Sequence, residues 1–252
     1  MPSKRGTASE AAQLPRIVLV DANVFFAPRM RDLFMHLHAA EVIYVHWTKE
    51  IEAEWTRNVV AKQDADPAGI DACLRGMRDA VEGWEVTGYE KHLDKFPAVD
   101  PKDHHVAAAA YKLSLADWPG QKVALVTRNV KDFPQHAFED TEVTRYSMSG
   151  YLDLLYQDDP ETVTAVAEGC RKKLAAPKLT KEEYVAVLMK NGCRSLAPAL
   201  ADRWDVECPV AAKDGTLSYP SEAPKASKRA TARSSKPGTL PSATARKTPR
   251  NE

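Results

Sequence analysis

Three short runs constrain this chain most: RIVLV at 16–20, VIYVHW at 42–47 and KVALVT at 122–127. Each is too short for a helix and too apolar to present a wet face. Such runs read as strands buried on both sides of a sheet. Segments of helical spacing separate them. Met30, Leu33, Phe34 and Leu37 form one apolar stripe; Ile51, Trp55 and Val59 form a second, behind Thr48 as a capping residue. Ile70, Leu74, Met77 and Val81 form a third, and DPKDHHVAAAAYKL opens with Asp100 as cap and Pro101 at the first helical position. TEVTRY at 141–146 adds a short edge strand. Strands alternating with helices predict an α/β domain with a mostly parallel central sheet, over residues 15–156.

Beyond it, PETVTAVAEGCRKKL, TKEEYVAVLMK and SLAPALADRW predict a small C-terminal helical extension over 157–210, its second helix opened by Thr180. Residues 1–14 read as a flexible, polar N-terminus without the apolar core of a signal peptide. Residues 211–252 carry nine basic and three acidic side chains, a net +6 that leaves −6 on the rest of this neutral chain. With almost no large apolar residue, that tail predicts disorder, either as a solubilising extension or as an electrostatic contact to nucleic acid. No apolar run approaches the roughly 20 residues of a membrane span. Cys73, Cys170, Cys193 and Cys208 lie far apart with no CxxC pair, which argues against a zinc site or a disulfide framework and fits a cytoplasmic protein.

In parallel sheets, ligands bind beyond the carboxyl ends of the strands, and polar residues gather there in this sequence. The first strand runs straight into Asp21, with Asn23 two residues on. Glu50 and Glu54 share a helix face with Arg57 and Asn58. Asp103 lies in the first turn of the helix begun at Pro101, and the strand LVT ends in Thr127, followed by Arg128, Asn129 and Asp132. Each feature alone has an ordinary explanation: a turn cap, a solvated helix face, an acid favoured by a helix dipole. Together they predict three or four carboxylates in one place, which cannot all stay ionised without a cation. Oxygen donors alone suit Mg²⁺ or Mn²⁺, ions that support water attack on a phosphodiester.

The segments IVLVDANVFF, WTKEIEAEWTRN, DPKDHHVAAAA and LVTRNVKDFP, spread over roughly 16–145, resemble the PIN-domain ribonucleases, close to the VapC-type toxins of bacterial toxin–antitoxin pairs. The resemblance implies an α/β/α sandwich, a Mg²⁺- or Mn²⁺-dependent endoribonuclease, a homodimer, an RNA substrate and an antitoxin partner. It carries metal binding to Asp21, Glu54 and Asp103, and support of that cluster to Asn23 and Thr127. Many relatives have an Asp where this chain has Asn129, so the fourth group is either Asp132 or Asn129. Arg29, Arg57 and Arg128 are the candidate RNA contacts, with Arg31 and Lys49 also near the expected rim. Of the two histidines, His104 is expected near the site mouth and His105 packed or exposed.

Three other readings are weaker. DHH at 103–105 is shared with the DHH phosphoesterases, but the further DxD-type motif and histidines of that family are missing. VDANVFF has no glycine, which opposes a dinucleotide-binding fold. A PIN fold that has lost its chemistry and serves as an RNA-binding or scaffold module is the remaining alternative, and the near-complete acid set favours the enzyme.

Overall fold

The computed structural model describes residues 14–63, 66–174, 177–212 and 214–220. Strand β1 (Ile17–Val20) is buried along its whole length, as its unbroken apolar sequence requires. Each such side chain contributes about 1.5–3 kcal/mol on leaving water. A short turn of helix, α1 (Ala22–Phe25), leads into α2 (Pro28–Ala39), whose Met30, Leu33, Phe34 and Leu37 are fully buried. Strand β2 (Tyr44–His46) follows, and then α3 (Lys49–Gln63). Thr48 caps α3 by accepting from the Ile51 N–H at 3.0 Å. Asp66 caps α4 (Pro67–Ala80), accepting from the Gly69 N–H.

A tight turn at Pro101–Asp103 then precedes α5 (His104–Lys112), so the regular helix begins three residues later than the Asp100–Pro101 signal predicts. The Asp103 N–H bonds the Asp100 carbonyl at 2.8 Å, the three-residue spacing that often tightens a helix start. Strand β3 (Val123–Thr127) and strand β4 (Val143–Ser147) complete the sheet, whose order is β2-β1-β3-β4 with every pair parallel. The fold class is therefore α/β. Helix α5 packs on β1 and β3, α2 on β2, and α6 (Met148–Asp158) on β3 and β4, an arrangement compatible with a sandwich. The chain leaves β1 to one side for β2 and to the other for β3, so the topology switches between β1 and β3. That junction is where an open parallel sheet offers a crevice.

Helix α6 was not signalled in the sequence, and it crosses residue 156, where the domain was expected to end. Ser147 caps it through the Gly150 N–H, and Tyr151 on it donates to the Pro15 carbonyl at 2.6 Å. Helices α7 (Pro160–Lys173), α8 (Lys181–Lys190) and α9 (Leu196–Trp204) form as expected, α8 with a full capping box of Thr180 and Glu183. They belong to the same compact unit as the sheet, with α7 packed on α2 and α6. Helix α9 has no side-chain cap of its own. Asp153 on α6 supplies it, accepting from the N–H groups of Arg194 (2.8 Å), Ser195 (3.0 Å) and Leu196 (3.1 Å).

The expected disorder from residue 211 onward needs correction at its start. Strand β5 (Val210–Ala211) pairs antiparallel with β6 (Leu217–Ser218). Asp214 and Gly215 turn the chain between them, Gly215 at φ +84° and Asp214 accepting from the Thr216 N–H at 2.9 Å. An Asp–Gly pair is a strong local turn signal. The remaining tail from 221, and the N-terminal residues 1–13, lie outside the described residues. Among the described residues no helix is long and apolar enough to cross a membrane.

Candidate metal centre

Strand β1 hands its last buried residue directly to Asp21, whose N–H still bonds the Val126 carbonyl of β3 at 3.0 Å. The sheet therefore fixes this carboxylate's backbone at the switch point, and only 3% of the residue is exposed. Thr127, at the end of β3 and fully buried, donates its hydroxyl to Asp21 Oδ2 at 2.7 Å. The same hydroxyl oxygen accepts from Asn23 Nδ2 at 3.0 Å and from the Asn129 N–H at 2.9 Å. Asn23 also donates to Asp21 Oδ2, and its Oδ1 accepts from the Arg128 N–H at 2.8 Å. Asn23 and Thr127 thus lock Asp21 in place and tie the loop after β1 to the loop after β3.

Asp103 reaches the same place from the turn before α5. It is 8% exposed, and its Oδ2 has no hydrogen-bond donor. Burial pushes the Asp103 carboxyl up to about 7, with the charge of Asp21 adding to the rise. Burial likewise raises Asp21 to about 6, against the Thr127 hydrogen bond, and Glu54 raises it further. Two buried acids so placed repel each other and lack solvation, and a cation would relieve both conditions.

Glu54, Arg57 and Asn58 on α3 line an open cleft of about 270 Å³ together with Glu50, Lys102, Asp103 and His105. Glu50 accepts from the Tyr89 hydroxyl at 3.1 Å, while Glu54 lies 3.7 Å from His105 Nε2. His105 is packed, as one of the two expectations for it had it, but it also lines the cleft that was expected of His104. His104 binds the Val99 carbonyl at 3.0 Å, and it is His105, 7% exposed, that stands between Glu50 and Glu54.

Asp132 does come near, because its carbonyl accepts the Asp100 N–H at 3.1 Å and so holds the β3 loop against the α5 turn. Its carboxylate, however, already has partners: Lys102 Nζ at 2.9 Å and the Asn129 side-chain amide. Lys102 hydrogen-bonded to it holds the Asp132 carboxyl below the usual carboxylate range. Asn129 therefore turns its amide nitrogen, rather than its oxygen, to the acid. The sequence reading missed Lys102, which places a positive charge within the acid set; the DPKD spacing, a cation between two acids of one turn, was the available signal.

Of the expected RNA contacts, Arg57 lines the cleft. Arg128 is exposed in the β3 loop and is not among the residues that line this cleft. Arg29 is engaged elsewhere, with Asp32 at 3.3 Å and the Pro177 carbonyl at 3.4 Å. Arg31 lies over the Trp55 ring and donates to the Phe25 carbonyl, and Lys49 pairs with Glu85 at 3.2 Å.

A buried acid on α3 belongs to a different arrangement. Glu52, 6% exposed, accepts from Trp47 Nε1 at 3.2 Å and takes both Nε and a terminal nitrogen of Arg78 on α4. Arg78 also lies over Trp84, which stacks on Trp47 at 4.8 Å. This ion pair joins α3 to α4 and faces no cleft.

Among the described residues, no three acidic, histidine or cysteine side chains converge closely enough to hold a metal ion between them. Asp21, Asp103 and Glu54 interact electrostatically, and the bare Asp103 Oδ2 is an oxygen donor of the kind a hard divalent cation takes. Comparison with family models, curated proteins and solved structures finds no match.

Proposed function

We propose that the chain is a divalent-metal-dependent endoribonuclease of the PIN-domain kind, with an α/β/α sandwich and its active site at the carboxyl ends of β1 and β3. The observation that carries this reading is the pair Asp21 and Asp103. Two elements 82 positions apart in the chain bury these acids near enough for the charge of Asp21 to act on Asp103, and one Asp103 oxygen has no donor. A fold gains no stability from such a pair unless a ligand completes it.

Asp21 and Asp103 would hold Mg²⁺ or Mn²⁺, with Glu54 completing the donor set from α3. The ion, when bound, supplies charge neutralisation and Lewis-acid activation for attack of water on the phosphodiester. Thr127 and Asn23 keep Asp21 in one rotamer. The loop of Asn129 and Asp132 is held against the turn before α5, and Arg57, which lines the cleft, and the exposed Arg128 are the candidate contacts to substrate phosphates. The resemblance also supplies an antitoxin partner, a homodimer and a cytoplasmic setting. Light scattering of the purified chain tests the dimer.

The deciding experiment is cleavage of total RNA by purified protein, with Mg²⁺ or Mn²⁺ and with EDTA, beside Asp103→Ala. Discrete fragments that vanish with EDTA and with the substitution support the nuclease. A folded, partner-free protein that cuts nothing favours the second reading, an RNA-binding or scaffold module. That reading draws its support from Lys102, which already neutralises part of the acid cluster.

A further inference from the structure

We propose that Lys102 is an internal counter-ion of the carboxylate cluster, which a divalent cation must push away from Asp103, so that this one side chain sets the metal concentration at which the site loads. The inference rests on the metal-centre reading above and concerns how that centre is regulated.

The backbone of Lys102 is fixed. Pro101 precedes it, and Asp100 accepts its N–H at 3.2 Å, in a turn closed by the Asp103 N–H on the Asp100 carbonyl. Its side chain is not fixed, for 63% of it is exposed. From this hinge the ammonium meets three carboxylates: Asp132 Oδ2 at 2.9 Å, Asp100 Oδ2 at 3.7 Å and Asp103 Oδ2 at 4.0 Å. Only the first distance is a hydrogen bond. Asp103 Oδ2 thus feels the positive charge yet keeps no donor.

The arrangement is that of a partial neutraliser. The ammonium lowers the repulsion within the cluster but leaves one buried oxygen bare. An ion bound by Asp21 and Asp103 would share Asp103 with the ammonium, and the two cations repel. The lysine has somewhere to go, since Asp132 already hydrogen-bonds it and Asp100 lies 3.7 Å from it. A compact ammonium on a flexible stem suits such a shift better than a guanidinium forked onto one carboxylate. Metal entry is therefore opposed by one charge that is never removed, only moved.

Manganese binding to the full chain, measured by isothermal titration calorimetry on wild type, Lys102→Met, Lys102→Arg and Asp103→Asn, tests this. Lys102→Met should bind Mn²⁺ about three- to tenfold more tightly, the range expected when one solvent-screened charge no longer opposes a doubly charged ion. Lys102→Arg, which keeps the charge, should stay within about twofold of wild type. Equal or weaker binding by Lys102→Met, with wild type and Asp103→Asn still differing, overturns the counter-ion role and leaves the metal centre standing. If wild type and Lys102→Met both take up no Mn²⁺, the metal-centre reading itself fails. Circular dichroism of each variant verifies its fold, and an exposed lysine tolerates the change to methionine.

Discussion

Helix α3 and the elements around it bury acids in two contrasting ways. Glu52 is buried with partners: Arg78 takes both its oxygens and Trp47 donates to one. Asp21 and Asp103 are as deeply placed, yet their donors are a hydroxyl, an amide and, for Asp103, a cation no closer than 4.0 Å. The same chain thus supplies a guanidinium where an acid joins two helices and withholds one where acids gather at the sheet's edge. The difference separates an acid matched by a bonded guanidinium from acids that the fold leaves without a bonded cation.

The contrast breaks first on activity. Asp21→Asn or Asp103→Ala should lower the rate of metal-dependent RNA cleavage by about 10²–10³-fold or more, while Glu52→Gln leaves it close to wild type in the same gel assay. Comparable losses at Glu52 would show that the two kinds of acid are not distinct.

On stability the order reverses. Arg78→Met strands Glu52 and should cost about 2–3 kcal/mol in urea denaturation, below the usual figure for a buried pair because the Arg78 side chain is 40% exposed. Asp21→Asn should instead stabilise the metal-free protein. The Asp21 carboxyl titrates at about 6 in the fold, above its ordinary 3.8. A raised acid favours folding when protonated, and that contribution is lost as pH climbs from about 4 through 6. The shift corresponds to about 3 kcal/mol, and a lost hydrogen bond takes back about 1. The variant should therefore gain about 2 kcal/mol at pH 8 and lose about 1 at pH 4. A variant equally altered at both values would remove the charge from the explanation.

The smallest effect is the ion's own. Mn²⁺ at ten times its dissociation constant should stabilise the wild type by about 1.4 kcal/mol, a rise of about 3–5 °C in Tm. Glu52→Gln should show the same rise, and Asp103→Asn none.

Much of this contrast was written locally in the sequence. The runs that became β1 and β3 were apolar throughout, so their burial and the position of Asp21 and Thr127 at their ends followed. Thr180 with Glu183 announced α8. What escaped were features set by distant partners. Glu52 looks like any exposed helix acid until Arg78, 26 residues on, is brought against it. Lys102 reads as a surface lysine until the β3 loop sets Asp132 beside it. Helix α6 lacked a visible start because its cap, Ser147, is also the last residue of a strand. The place of His105 depended on the rotation of α5, which a three-residue tight turn offsets from the one expected.

The order of strands in the sheet also has a meaning in time. β1 is synthesised first but sits at the sheet's centre, and the hydroxyl that orients Asp21 belongs to a residue 106 positions later. At about 5–20 residues per second, the ribosome needs roughly 5–20 s to cover that gap. Throughout it, Asp21 is an ordinary hydrated carboxylate with nothing opposing its charge. The hydroxyl of Thr127, which opposes the burial-driven rise of the Asp21 carboxyl, joins it only once β3 has been made.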